Sequence, residues 1–129
     1  MAKSTGAPRG ARKSGSAYQP ERGHFVWLNF DPQAGTEQAG RRPALILSPR
    51  AFNVATGLAF VCPVTNQMKG GAFEVPLPPA GRPTGVLLCH QLRAVDWIAR
   101  RAEFLADAPA AFVADILARI EAVLSPDAG

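Results

Sequence analysis

Phe25-Val26-Trp27-Leu28-Asn29-Phe30, followed after a polar break by Ala44-Leu45-Ile46-Leu47, is the stretch from which the fold is read. Both runs are short, rich in aromatic and branched side chains, and bounded by Gly, Pro and Asp, the pattern of paired strands. Between them lies Gly35-Thr36-Glu37-Gln38-Ala39-Gly40-Arg41-Arg42-Pro43. This loop gathers a carboxylate, an amide and two guanidiniums between two strand ends, where a rigid scaffold commonly presents binding and catalytic groups. The set suits an anion, because a planar guanidinium offers paired N–H donors to phosphate oxygens. Pro43 also stiffens the backbone immediately after Arg42. The plainer alternative is that Glu37 and Arg42 pair across a tight turn, as surface charges commonly do.

Working outward, Arg50 to Gly57 predicts a helical turn or two, with glycine supplying the left-handed residue that ends a helix. Leu58-Ala59-Phe60-Val61-Cys62-Pro63-Val64 is nearly all apolar and predicts a central strand buried on both faces, ending or bulging at Pro63, which cannot donate to a ladder. Thr65-Asn66-Gln67 then projects from the strand end, beside a Lys69-Gly70-Gly71 turn. Further strands are expected over Phe73–Leu77, Gly85–Leu92, Arg93–Ile98 and Arg101–Leu105, with a Pro- and Gly-rich turn from Pro78 to Pro83. Several short strands separated by turns point to a mainly β fold, a small barrel or a sandwich. The C-terminus differs in kind: Phe112, Val113, Ile116, Leu117, Ile120, Val123 and Leu124 recur at helical spacing. Asp107 is the expected N-cap of that helix and Pro109 suits its first turn. The helix is expected to lie against the barrel or on a partner.

With 129 residues the chain has room for one domain. Residues 1–22 hold five basic side chains against one acidic, interleaved with Gly, Ser, Ala and Pro, and are expected to be a disordered tail. The formal net charge of the whole chain is +4, so the tail accounts for all of it and the remainder is neutral. Such an arm attracts phosphate backbones without selecting sequence, or simply aids solubility. No apolar stretch approaches the roughly 20 residues that span a bilayer, and no apolar region of signal type follows the basic N-terminus, so a cytoplasmic protein is expected. Cys62 and Cys89 sit in apolar runs without C-x-x-C spacing or neighbouring histidines, and read as small buried hydrophobes, with a disulfide the less favoured alternative.

Trp27-Leu28-Asn29-Phe30-Asp31-Pro32, the Gly35 to Pro43 loop, Leu47-Ser48-Pro49 and Cys62-Pro63-Val64-Thr65 resemble, in order and spacing, the MazF/PemK family of toxin endoribonucleases. Gly85-Val86-Leu87-Leu88, Gln91-Leu92-Arg93-Ala94-Val95-Asp96 and the terminal helix extend the resemblance, which implies one toxin domain over 23–125. It implies an SH3-like small β-barrel of the PemK/CcdB kind with a C-terminal α-helix, a homodimer, and sequence-selective cleavage of single-stranded RNA without a metal or other cofactor. It further implies a cognate antitoxin, MazE-like, whose acidic C-terminal segment covers the active site. On this chain the family's catalytic arginine and threonine fall on Arg42 and Thr65, with Glu37 beside them in the loop. Phe30, Gln38, Arg41, Asn66, Gln67, Lys69 and Gln91 are the candidates for contacting RNA. CcdB-type toxins share the barrel but act on gyrase by contact, and the Glu37-Gln38 to Arg42-Pro43 loop argues against that reading. His90 stands where relatives usually carry an acidic residue; it is read as a hydrogen-bonded strand residue and His24 as a surface one.

Overall fold

The structure, a computed structural model, describes residues 17–30, 40–79 and 81–126. Seven strands are laid out as β1 (His24–Asn29), β2 (Arg41–Ile46), β3 (Leu58–Thr65), β4 (Glu74–Pro76), β5 (Val86–Leu88), β6 (Arg93–Asp96) and β7 (Glu103–Asp107). Helix α1 (Arg50–Thr56) bridges β2 and β3, and α2 (Ala110–Leu124) closes the chain. The sheet runs β4-β5-β3-β2-β1-β7, with β6 also paired to β3, and its pairs are antiparallel. Among the described residues β4 and β7 do not pair with each other, so the sheet is not closed, an arrangement still compatible with the expected mainly β, SH3-like barrel with a C-terminal helix.

Period-two alternation explains why these strands are apolar throughout. Phe25, Leu45, Cys62, Val64 and Leu87 point to one face and pack with Ile116 of α2, flanked by Phe112, Leu117 and Ile120. Val26, Leu28, Ala44, Ile46, Ala59 and Val61 point to the other and enclose Tyr18 and Val95, with Phe104 and Trp97 at the margin. Burial of both faces is what the uninterrupted apolar run of β3 encodes.

Strand β3 does not end at Pro63. Leu47 N–H donates to Phe60 O at 2.8 Å, and counting along the register from that bonded pair makes Ala44–Pro63 a non-hydrogen-bonded pair. The missing donor of Pro63 therefore faces the opposite edge. On that edge β6 pairs up to Val61 and β5 takes over at Val64. The proline sits in the gap between two partners, where no ladder bond is lost.

Other expectations need correction. Glycine ends α1 as expected: Gly57 takes φ 75° and donates to Asn53 O at 3.0 Å. By contrast Asp107 is the last residue of β7 rather than a helix cap, and the N-cap of α2 is Pro109, with no side-chain cap bond. The apolar run after Gly85 breaks after three residues into a 3₁₀ turn, Cys89–Gln91. His90 is therefore an exposed turn residue with its ring against Phe73, not a strand residue. His24 is not a simple surface residue either: its Nδ1 shares a hydrogen bond of 2.6 Å with Tyr18 Oη, and its ring meets Phe104 edge-on.

The tail assigned to residues 1–22 is shorter than expected at its C-terminal end. Tyr18 is only 3% exposed, and burial followed by the charge of Asp107 raises its hydroxyl above the ordinary tyrosine range. Pro20 O accepts from Asn53 Nδ2, and the Glu21 carboxylate accepts from the backbone N–H groups of Arg50 and Arg22. Partial burial works to raise the Glu21 pKa, but those two donors together hold it below the ordinary carboxylate value. Residues 1–16 lie outside the described residues.

Cys62 and Cys89 are free thiols inside the core. Cys62 donates to Cys89 O at 3.8 Å, and burial pushes its thiol up to about 12. The thiolate is the reactive form, so a water-soluble disulfide reagent at neutral pH is expected to modify Cys62 only as fast as the protein opens. Denaturant should restore rapid reaction; fast modification of the native protein would contradict this packing.

Candidate active site

Pro43 determines where the sheet opens. The next hydrogen-bonded pair after Ala44–Pro63 would be Pro43–Val64, and proline has no N–H to give. The β2–β3 ladder stops there. Beyond it the strand ends flank an open cleft of about 540 Å³, lined by Trp27, Arg41, Arg42, Pro43, Val64, Asn66, Arg82, Pro83, Thr84 and Leu105. Past the break come Arg42, near the start of β2, and Thr65, the last residue of β3.

The two neighbouring arginines have different fates. Arg41 Nη1 donates to Asn29 Oδ1 at 2.9 Å, and Nη2 donates to Arg101 O at 2.9 Å and to Glu103 Oε1 at 3.3 Å. Arg101 holds φ 59°, a left-handed conformation that a side chain disfavours. By bonding the carbonyl of that residue, Arg41 fastens the β6–β7 turn to the end of β1. Arg42 is half-buried beside the same cleft, and among the described residues nothing pairs with its guanidinium. Arg41→Ala is therefore expected to lower unfolding free energy by about 1–2 kcal/mol through its charged hydrogen bonds, with little from the exposed Glu103 pair. Denaturant titration checks this; unchanged stability would return Arg41 to the pool of free cations.

Thr65 Oγ1 accepts from Gln67 N–H at 3.0 Å, which turns the chain sharply at the end of β3. Asn66 accepts from Thr84 Oγ1 at 3.3 Å and lines the cleft. Arg41, Arg42 and Asn66 are thus brought together, whereas Thr65, Phe30, Gln67, Lys69 and Gln91 are not among the lining residues. Phe30 packs at the margin of the second core under the Arg93 guanidinium, 5.6 Å from its ring centroid. Gln67 and Lys69 are exposed on the following turn, whose backbone N–H groups at Lys69 and Gly70 bond to the Glu74 carboxylate. Gln91 is exposed at the end of the 3₁₀ turn. Glu37 and Gln38 lie outside the described residues. No three His, Cys, Asp or Glu side chains converge as a metal site among the described residues.

Residues 21–124 match the family model described as PemK-like, MazF-like toxin of type II toxin-antitoxin systems. The chain belongs to that family. It is 46% identical over 87 residues to the endoribonuclease toxin MazF of Escherichia coli K12, covering 67% of this chain and 78% of that protein. It is 40% identical over 109 residues to the endoribonuclease PemK of Escherichia coli, covering 81% and 82%. Among solved structures, MazF of Deinococcus radiodurans superposes with a TM-score of 0.75 at 53% identity, covering 83% of this chain and 97% of that one. A MazE–MazF complex from the same organism gives a TM-score of 0.75 at 51% identity.

Two residues that line the cleft, Arg82 and Thr84, are not singled out by the sequence alone. Both are submerged in what reads as an ordinary Pro- and Gly-rich turn. Gly85 carried a faint signal, a glycine directly before a buried strand, and its role is geometric. At φ +112° its Cα lies so close to β3 that an added Cβ would fall 2.3 Å from Thr65 O.

Proposed function

We propose that this family member is an endoribonuclease toxin that cleaves single-stranded RNA without a metal ion. What supports the reading above all is the contrast between Arg41, whose donors are used inside the protein, and Arg42, whose guanidinium has no partner among the described residues and stands beside an open cleft. The similarity to proteins named as endoribonucleases supports it independently.

In the proposed reaction the ribose 2′-oxygen attacks the adjacent phosphorus. A 2′-O–P bond forms, the P–O5′ bond breaks, the 2′-hydroxyl gives up its proton and the departing 5′-oxygen gains one. The products are a 2′,3′-cyclic phosphate and a 5′-hydroxyl end. DNA lacks the nucleophile and is not cut. Negative charge builds on the nonbridging oxygens as phosphorus becomes five-coordinate, and a fixed guanidinium stabilises it without having to reorganise. Arg42 supplies that donor, and Thr65, at the end of β3, orients the phosphate. Glu37 and Gln38 belong to the loop that precedes Arg42 and act with it.

The solved MazE–MazF complexes support an antitoxin partner for this chain, and the proposed partner is one whose acidic segment covers the cationic cleft. The toxin works as a homodimer whose groove selects the cleavage sequence and, by cutting mRNA, inhibits translation. No helix of the described residues is long and apolar enough to cross a membrane, and the site of action proposed is the cytoplasm.

Purified protein incubated with a long single-stranded RNA in EDTA is expected to give discrete fragments with 5′-hydroxyl ends. RNA left whole but slowed on a gel would replace the nuclease with a binding protein. Inhibition of gyrase supercoiling without RNA cleavage would favour a toxin acting by contact.

A further inference from the structure

Of the three guanidiniums at the cleft, Arg82 has no assigned purpose. It enters from the turn between β4 and β5, is exposed, and among the described residues has no partner. Its turn is nevertheless firmly placed. Leu77 N–H donates to Gly85 O at 3.0 Å, Thr84 Oγ1 donates to Asn66 Oδ1 at 3.3 Å, and Gly85 presses against the carbonyl of Thr65. The turn that carries Arg82 is thus fastened to the strand end that carries Thr65.

Among the described residues Arg42 and Arg82 are unpaired cations at one cleft, where they repel each other, and no described Asp or Glu lines it to offset that. A single phosphate on Arg42 would neutralise one of them and fill a small part of about 540 Å³. The cleft also presents Trp27, an aromatic surface of the kind on which bases stack between phosphate contacts. Building on the endoribonuclease reading, we infer that Arg82 holds the phosphate next to the scissile one, so that the site takes a strand with at least two consecutive phosphodiesters. An RNA is favoured over an acidic peptide because the cleft couples planar guanidiniums with an aromatic face.

Counterion release makes the contact measurable. Each phosphate neutralised on a single strand adds about 0.7 to the slope of log affinity against log salt. Binding of 2′-O-methylated single-stranded RNA, which cannot be cut, is measured from 50 to 200 mM salt for wild type, Arg82→Ala and Arg82→Lys. The alanine variant should lose one such increment, so that its affinity falls about 2.6-fold less over that range than wild type. Lysine, which keeps the charge, should restore the wild-type slope. In cleavage of unmodified RNA, Arg82→Ala should raise KM with little change in kcat, the mark of a contact made equally before and during reaction.

A wild-type protein that cleaves RNA, with a slope indifferent to position 82, overturns this inference alone. A wild type that leaves RNA whole removes the nuclease reading and this inference together. Loss of binding to polyglutamate in Arg82→Ala, with RNA binding untouched, would reassign the arginine to an acidic polypeptide. A lowered melting temperature in both variants, with slopes unchanged, would make it part of the turn's structure.

Discussion

Arg42→Ala is expected to reduce RNA cleavage by about 10²–10³-fold, or roughly 2.7–4 kcal/mol of transition-state stabilisation, while leaving the fold intact. Both halves follow from the same geometry. Arg42 stands at the start of β2, just before the proline that stops the ladder, and among the described residues its guanidinium supports nothing. Removing it leaves no buried partner unsatisfied, so melting temperature should barely move. The loss should appear mostly in kcat, because the donor matters most when phosphorus carries its greatest charge. Arg42→Lys should recover only part of the rate: it keeps the charge but not the planar pair of donors. Single-turnover cleavage beside a thermal melt makes the test. A full rate in the alanine variant would remove Arg42 from the chemistry, and a collapsed melt would mean that it holds the sheet.

The strands flanking the loop were legible because their signal is local: alternating burial on two faces leaves an apolar run, and glycine and proline mark its ends. The same holds for α1, ended by Gly57, and for α2, where Val113 and Ile116 recur at helical spacing and are buried. What the residues could not declare depends on distant chain. Arg41 and Arg42 are chemically identical neighbours, and they are told apart only when the turn ending at Arg101 folds back to take the donors of one of them. Tyr18 looked like the lone aromatic of a polar tail because its burial needs Val26, Phe104 and the hydroxyl-to-imidazole bond to His24. Pro63 read as a strand end because the change of partner from β6 to β5 cannot be seen along one strand. Asp107 has the composition of a helix cap, but strand pairing with His24 claims it first.

Gly85→Ala should be the most damaging small substitution in the cleft, because two independent costs coincide. At φ +112° the backbone occupies a region that side chains rarely adopt, a strain of about 1–3 kcal/mol. The added methyl would also lie 2.3 Å from Thr65 O and 2.8 Å from Asn66 Oδ1. The first of these is backbone and cannot swing aside, so β3 or the turn must shift. Overpacking of this kind costs about 1–3 kcal/mol more, for a total of about 2–6 kcal/mol. At about 4–8 °C per kcal/mol for a domain of this size, the melting temperature should fall by at least about 8 °C. Relief comes most easily by pushing the turn outward, which carries Thr84 and Arg82 away from the end of β3. Protein that remains folded at low temperature should therefore cleave more slowly than its folded fraction allows, and its RNA binding should lose salt dependence as Arg82→Ala does. That pairing separates a distorted site from mere instability: if activity per folded molecule is unchanged, the close approach of Gly85 to Thr65 serves stability alone. Gly57→Ala is the fitting control. It places the same residue type at a comparable φ of +75° with nothing within 4 Å of its Cβ, so it should show the strain without the clash and leave cleavage by the folded protein alone.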